Sequence, residues 1–296
     1  MKRCSLPCSL PLLLMLWLLT AAAVSAVFPL QMKDDTNTLI RLAKKPMRII
    51  SITPSNTEIL FALGLEKRIV GVTTNCDYPA EAKAKEKIGD QNLDFEKIVM
   101  LRPDLIVADS GLQAQSIERL RTLGLTVVAF DPTDIAATMQ AITKIGEATG
   151  CEAAALKVVI NMKNRMAAVK RKLGGLKETE KPRVFVEIWM DPIYTAGPGT
   201  FTSELIQLAG GNDIAYDAKP WSLFSQELIL ARNPQVIISQ CDSAKLILKR
   251  PGWENIDAVR NGKVYDADEN IFSRVGPRLV EALETLARLL HPEKYK

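Results

Sequence analysis

From Met47 onward, short apolar runs alternate with amphipathic stretches. Residues 48–52 read as a buried strand, 56–63 as a helix stopped by Gly64, and 68–72 as a second strand. A helix over 94–101, a strand over 105–108, a helix over 114–123 and a strand over 126–130 follow. Strands whose central positions are apolar on both faces, separated by helices, predict a parallel sheet covered on both faces. Upstream, 28–32 and 38–42 flank Lys33-Asp34-Asp35 as the arms of a hairpin. Residues 135–176 read as helical with a break at Gly150, and 153–176 alone would reach about 36 Å at 1.5 Å per residue. That exceeds what one lobe needs to cover its sheet. Gly174-Gly175 and the polar run to Pro182 form a boundary, and the alternation then restarts. Strands over 183–188, 236–239 and 264–266 are predicted with helices over 202–209, 225–231 and 277–290.

An internal echo links the halves. Glu96-Lys-Ile-Val-Met-Leu-Arg-Pro103-Asp-Leu-Ile-Val107 matches Glu227-Leu-Ile-Leu-Ala-Arg-Asn-Pro234-Gln-Val-Ile-Ile238. In both, a glutamate opens a short helix, a proline lies seven residues on, and a buried strand follows. Proline after a helix is common on its own; glutamate, proline and apolar run in one register are not. The predicted fold class is α/β, with two Rossmann-like lobes of mainly parallel sheet joined by one long inter-lobe helix. The predicted divisions are a signal peptide at 1–26, an N-terminal lobe at 27–150, a linking helix at 151–177 and a C-terminal lobe at 178–296.

The leader changes the picture of where the chain works. Lys2 and Arg3 precede a nearly unbroken apolar run over 10–19, and Val24-Ser25-Ala26 offers a cleavage site. This is the layout of a secretory signal removed near Ala26, which predicts a periplasmic protein. The competing reading is an uncleaved anchor, since 10–27 just reaches the ~18 residues a span needs, although Pro11 lies inside it. Cys4 and Cys8 come before the apolar run, so neither can become a lipid-bearing mature N-terminus. Cys76, Cys151 and Cys241 then remain, an odd number of thiols with at least one left over. The net charge of +4 is small, and no Lys/Arg cluster is interleaved with aromatics, so a nucleic-acid partner is not expected.

Candidate chemistry is sparse. The single histidine, His291, sits near the C-terminus, which removes histidine triads and two-histidine zinc motifs and disfavours histidine as an axial ligand to haem. No nucleophile elbow or phosphate loop occurs. There is no Cys-x-x-Cys to suggest a metal-cluster scaffold. The expectation is a protein that is not an enzyme and needs no cofactor. Gly197-Pro198-Gly199-Thr200 reads either as an anion site ahead of a helix or as a turn with a helix cap. Asp34-Asp35 and Asp266/Asp268 read as loop residues. Ser55-Asn-Thr-Glu58 has the spacing of a capping box, yet it also leaves the first strand, where α/β sheets bind ligands. The segments 73–79, 109–112, 189–197 and 270–276 leave other strands in the same way. Trp189 and Trp221 stand in such loops and suit either a local core or the wall of a cleft.

Four segments carry a resemblance. Arg48-Ile-Ile-Ser-Ile-Thr-Pro-Ser-Asn-Thr-Glu-Ile-Leu-Phe-Ala-Leu-Gly64, Val70-Gly-Val72, Asp77-Tyr-Pro79 and Lys97-Ile-Val-Met-Leu-Arg-Pro-Asp104 are similar to the helix-linked periplasmic binding proteins for vitamin B12, iron–siderophore and haem. The resemblance runs through residues 27–292, and its corrinoid-binding members also have counterparts of Pro220-Trp221 and Phe272-x-Arg274-x-x-Pro277-Arg278. It implies a shallow inter-lobe cleft, little hinge motion and no chemistry on the cargo. The implied partners are an ABC permease dimer with its cytoplasmic ATPases, and the implied state is a monomer. It makes Glu96 and Glu227 the docking carboxylates, one per lobe; each also suits the positive end of its own helix. The implied cleft residues are Ser55, Asn75, Asp90, Asp109, Trp189, Tyr194, Trp221, Phe272 and Arg274. Asn75, Asp90 and Asp109 stand where corrinoid binders tend to carry aromatics, so this cleft is more acidic. The implied cargo is a corrinoid, with a ferric siderophore or haem as the alternative. Haem would use Tyr78 or Tyr194 as axial ligand.

Overall fold

In the computed structural model, which describes residues 28–296, the apolar runs become two four-stranded parallel sheets. The leader, its cleavage site and both early cysteines lie outside the described residues. The first sheet runs Ile69–Val72, Ile49–Ser51, Leu105–Asp109, Val127–Phe130 from edge to edge. The second runs Asn212–Asp213, Arg183–Glu187, Val236–Ser239, Val264–Asp266. Within each lobe the first strand lies between the second and third, so both sheets have the order 2-1-3-4. The strand interiors are buried because helices cover both faces, which is why the runs carry no polar alternation.

The echo in the sequence is a structural repeat. Helices Phe95–Met100 and Gln226–Arg232 precede equivalent strands. Each helix is capped by the residue two before its glutamate: Asp94 accepts from the Lys97 N–H at 2.9 Å, and Ser225 from that of Leu228 at 3.2 Å. Each turn ends on a left-handed residue just before its proline, Arg102 at φ 44° and Asn233 at φ 43°. The carbonyls freed there are taken by an arginine that opens the lobe's first strand. Arg48 donates through Nε to Leu101 O at 3.0 Å and Arg102 O at 3.2 Å. Arg183 donates to Arg232 O at 3.1 Å and Asn233 O at 2.9 Å. Asp104 and Gln235, one after each proline, accept from the backbone N–H of Arg48 and Arg183, both at 3.0 Å.

Between the sheets, helix Ile135–Thr149 ends on Gly150 in the left-handed conformation, and helix Glu152–Lys172 follows. Its 21 residues span about 31 Å. It stops short of the predicted Leu176, where Gly174-Gly175 ends the helix. Its apolar stripe Ala155, Val159, Met162 and Val169 is buried. A Cβ on Gly146 would come within 2.5 Å of the Ala155 Cβ, so the two helices pack at their closest on that glycine. On the second lobe, Arg165 holds Glu284 of helix Leu279–Leu290 through two hydrogen bonds of 2.8 Å. A single apolar core continues from one lobe to the other under this helix.

Three details depart from the sequence reading. The hairpin Leu30–Lys33/Leu39–Leu42 forms as expected, but Asp34 in its turn is no loose loop residue. It is buried, pairs with Arg121 and accepts from the Ala129 N–H at 3.0 Å, pinning the hairpin to the sheet. The segment read as a loop after Glu187 builds a three-stranded antiparallel sheet of Trp221–Leu223, Ile193–Ala196 and Trp189–Met190. Helix Pro54–Ala62 starts earlier than predicted, with proline in its first turn. Among the described residues no helix is long and apolar enough to cross a membrane.

Candidate ligand-binding cleft

Loops at the carboxyl ends of the two sheets meet along one seam. Residues 270–278 leave the last strand of the second sheet and reach the loop that follows Ile69–Val72 in the first. Four charges fix that meeting. Glu58, only 3% exposed, accepts from Arg278 Nε at 2.9 Å, from a second Arg278 nitrogen at 2.6 Å, and from Arg274 at 3.0 Å. Arg274 also bonds Asp77 at 2.7 Å and pairs with Asn270. The Arg278 guanidinium lies 3.8 Å from the centre of the Tyr78 ring. Burial pushes the Asp77 carboxyl up, but the hydrogen bond and charge of Arg274 outweigh it and leave Asp77 below the usual carboxylate range. Hydrogen bonding to Glu58 outweighs burial at Arg278 and raises it. Arg274, expected to face cargo, is thus committed to holding the lobes together.

On the second lobe, the antiparallel sheet presents a row of exposed side chains. Tyr194 pairs with Trp189 on one side and Leu223 on the other, and Trp221 lies two residues before Leu223. Directly paired residues, and residues two apart on a strand, share a face. The row is 58% exposed at Trp189, 39% at Tyr194, 59% at Leu223 and 52% at Trp221, while Ile193 and Thr195 on the other face are buried. Trp189 is steadied by donating Nε1–H to Asp191 O at 3.0 Å, and Trp221 by the Phe201 ring 5.7 Å away. The turn feeding this sheet settles the Gly197-Pro-Gly-Thr200 question in favour of the cap. Thr200 Oγ1 accepts from the Ser203 N–H at 3.2 Å and donates to Gly197 O at 2.8 Å.

On the first lobe, a hollow of about 660 Å³ opens beside the carboxyl ends of the strands. Asn75, Asp90, Gln91, Asn92 and Gln113 line it with Thr53 and Thr73. Gln113 braces it by donating to Ile52 O at 2.7 Å. A larger cavity, about 770 Å³, lies on the linking-helix side of the Glu58–Arg278 pair, and none of the aromatic row lines it.

The structure distributes the sequence-derived residues unevenly. Asn75 and Asp90 are exposed in the first-lobe hollow, and Trp189, Tyr194 and Trp221 form the row on the second lobe. Ser55 is half-buried in the first turn of Pro54–Ala62, with its carbonyl near Gly276 of the other lobe. Besides Arg274, two assignments need correction. Asp109 is turned inward, where its carboxylate caps Ser110–Thr122 by accepting from the Leu112 N–H at 3.0 Å; burial raises its pKa against that hydrogen bond. Phe272 is buried in the shared core and presents no ring to the seam, because helix Glu269–Phe272 turns it inward. The capping box also fails: Glu58 pairs across the lobes, and Thr53 precedes the helix without a side-chain cap. Glu58 was missed because its spacing from Ser55 imitates a cap. The available signal was a carboxylate directly before the apolar run Ile59-Leu-Phe-Ala-Leu63, in a chain with two arginines four apart at 274 and 278. Glu96 and Glu227 are exposed at equivalent positions in the repeat. Hydrogen bonds from its own N–H and the Ser225 hydroxyl hold Glu227 below the usual glutamate value. Cys76, Cys151 and Cys241 are free thiols. Among the described residues no group of three or more His, Cys, Asp or Glu is arranged to hold a metal ion.

Two parallel-sheet lobes, a helical link and an open seam define the class as a two-lobed, helix-linked binding protein. The family model described as "Periplasmic binding protein" matches residues 49–271, and the chain belongs to that family. It is 38% identical over 276 residues to an uncharacterized ABC transporter substrate-binding lipoprotein, YvrC, of Bacillus subtilis, covering 91% of this chain and 88% of that protein. It is 31% identical over 246 residues to the vitamin B12-binding protein of Salmonella paratyphi A, covering 82% of this chain and 90% of the relative. A crystal structure from Staphylococcus epidermidis, described as a possible iron-binding, periplasmic solute-binding protein, superimposes with a TM-score of 0.75 at 34% identity. It covers 84% of this chain and all of that one. The protein is therefore an ABC transporter substrate-binding protein, which works with a permease and an ATPase and not as an enzyme.

Proposed function

We propose that this substrate-binding protein is exported, with cleavage near Ala26, and carries a corrinoid in the seam between its lobes to an ABC permease dimer. The observation that carries the cargo assignment is the exposed row of Trp189, Tyr194, Leu223 and Trp221. A flat aromatic surface left open to water suits a large flat guest, whose burial releases that water and gains stacking. Asn75 and Asp90 on the opposite lobe, with Ser55 at the seam, supply hydrogen bonds that orient the guest. Arg274 sets the floor of the seam through Glu58 and Asp77. The similarity to a protein named for vitamin B12 supports the same cargo. The protein performs no chemistry on its cargo and brings no cofactor of its own.

Delivery uses Glu96 and Glu227. A repeated carboxylate on equivalent helices of two similar lobes suits a partner with two-fold symmetry, and charges at an interface rim set docking rate and register. The second reading, a ferric siderophore or haem, rests on the exposed Tyr194 phenol, an oxygen ligand on the same row. Native mass spectrometry of protein purified without denaturation decides between them. A bound mass containing cobalt is expected; a co-purified iron chelate or a haem absorption band replaces the corrinoid assignment.

A further inference from the structure

We infer that the first-lobe hollow selects cargo whose rim carries neutral carboxamides, or positive charge, and rejects the same skeleton edged with carboxylates. This rests on the corrinoid reading and deepens it. The hollow contains no lysine, arginine or histidine among its lining residues, and its one charged side chain is Asp90. The remaining polar groups that face it are amides and hydroxyls. Asn75, Gln91, Asn92 and Gln115 make no side-chain hydrogen bond to another residue among the described residues, so each presents a donor and an acceptor to a guest. A primary amide on the cargo can pair with these groups in both directions. A carboxylate can only accept, would find no cation among the lining residues, and would lie beside the Asp90 charge; Arg119 in the adjoining hollow is stacked on the Phe95 ring, 4.0 Å from its centre. Arg274 does not relieve this, since Glu58 and Asp77 already engage it.

The turn that carries Asp90, Gln91 and Asn92 is held in place before any guest arrives. The Asp90 carboxylate accepts from the Asn92 N–H at 2.9 Å, closing a tight turn. Gly89 sits at φ +95°, and a Cβ there would fall 2.3 Å from Asn92 O, so the turn exists only with glycine. The Thr74 N–H donates to Gly89 O at 2.8 Å and the Asp94 N–H to Ile88 O at 3.0 Å, tying both ends to the sheet side of the lobe. A rigid turn discriminates because it does not move to accommodate the wrong charge.

The test compares cyanocobalamin with its monocarboxylic derivative, in which one peripheral amide is hydrolysed, by calorimetric titration into wild-type protein and Asp90→Asn. The substitution keeps an acceptor for the Asn92 N–H and lies on the surface, so the fold is preserved. The derivative is expected to bind wild type about tenfold more weakly, the scale of one partly solvated like-charge contact. Asp90→Asn should close most of that gap. Equal affinities for both probes, or a gap unchanged by Asp90→Asn, overturn the inference and leave the corrinoid reading standing. Saturable binding of haemin, a dicarboxylate, with no response to cyanocobalamin overturns both.

Discussion

A carboxylate as buried as Glu58 is tolerable only while its guanidinium partners stay in place. Replacing it by glutamine removes the charge that Arg274 and Arg278 share, leaving Asp77 as the carboxylate on Arg274 and taking from Arg278 its carboxylate partner. Glu58→Gln is expected to cost about 3–5 kcal/mol in a urea melt, the range for breaking one side of a buried pair. A loss below about 1 kcal/mol would show that the pairing does not hold the lobes. Asp77, with its lowered pKa, adds a pH dependence. Its contribution is complete above the unfolded carboxylate value and disappears as pH falls through the lower folded value, so acid loosens the Arg274 contact below about pH 4. Asp109 has the opposite sign. Burial raises its pKa, so the folded state takes up a proton that the unfolded chain does not, and stability gains as pH falls toward the unfolded value. Asp109→Asn should keep the cap without the buried charge and leave the melting temperature unchanged or higher. Asp109→Ala should lose about 1 kcal/mol with the cap. If the asparagine variant is the less stable of the two, the cap account is wrong.

The parallel strands were readable because their apolar runs have no second explanation, and the paired motif at Glu96 and Glu227 predicted a repeat that extends to Arg48 and Arg183. The three-stranded sheet of the second lobe was not readable. Its strands are short, Pro192 interrupts the run, and its residues alternate between Ile193 and Thr195, which are buried, and Tyr194, which is open. Asp109 and Phe272 were misplaced for a related reason: motif position gives a backbone location, but the direction of a side chain depends on helix starts and packing. The sheet depends on a close approach at Gly197, where a Cβ would fall 2.6 Å from Lys219 O and 2.7 Å from Ala218 O. The Gly197 N–H also donates to Pro220 O at 2.8 Å, setting the strand carrying Trp221 beside that carrying Tyr194. Gly197→Ala should therefore displace Trp221 and weaken cargo binding about tenfold, with far-ultraviolet circular dichroism unchanged. Wild-type affinity in that variant would show that the row needs no fixed spacing.

At the scale of the molecule, the two lobes share a core under Glu152–Lys172 and are cross-linked by Glu58, Asp77, Arg274 and Arg278. A seam held in this way has little freedom to close, so cargo must fit a largely preformed gap. Docking is proposed to use Glu96 and Glu227 rather than the seam. Charge reversal at both docking positions, Glu96→Arg with Glu227→Arg, should reduce transport through a reconstituted cognate permease at least tenfold while leaving cargo affinity untouched. Loss of cargo affinity in that variant would place these glutamates in the seam.

Cargo binding against the open tryptophans is the claim from which the rest follows, and fluorescence reads it directly because Trp189 and Trp221 lie on the row itself. Titrating cyanocobalamin into micromolar protein should quench that emission to a plateau at one equivalent, and the quenching should fall sharply in Trp189→Phe/Trp221→Phe. A linear, non-saturating decrease that is the same in both proteins would contradict it.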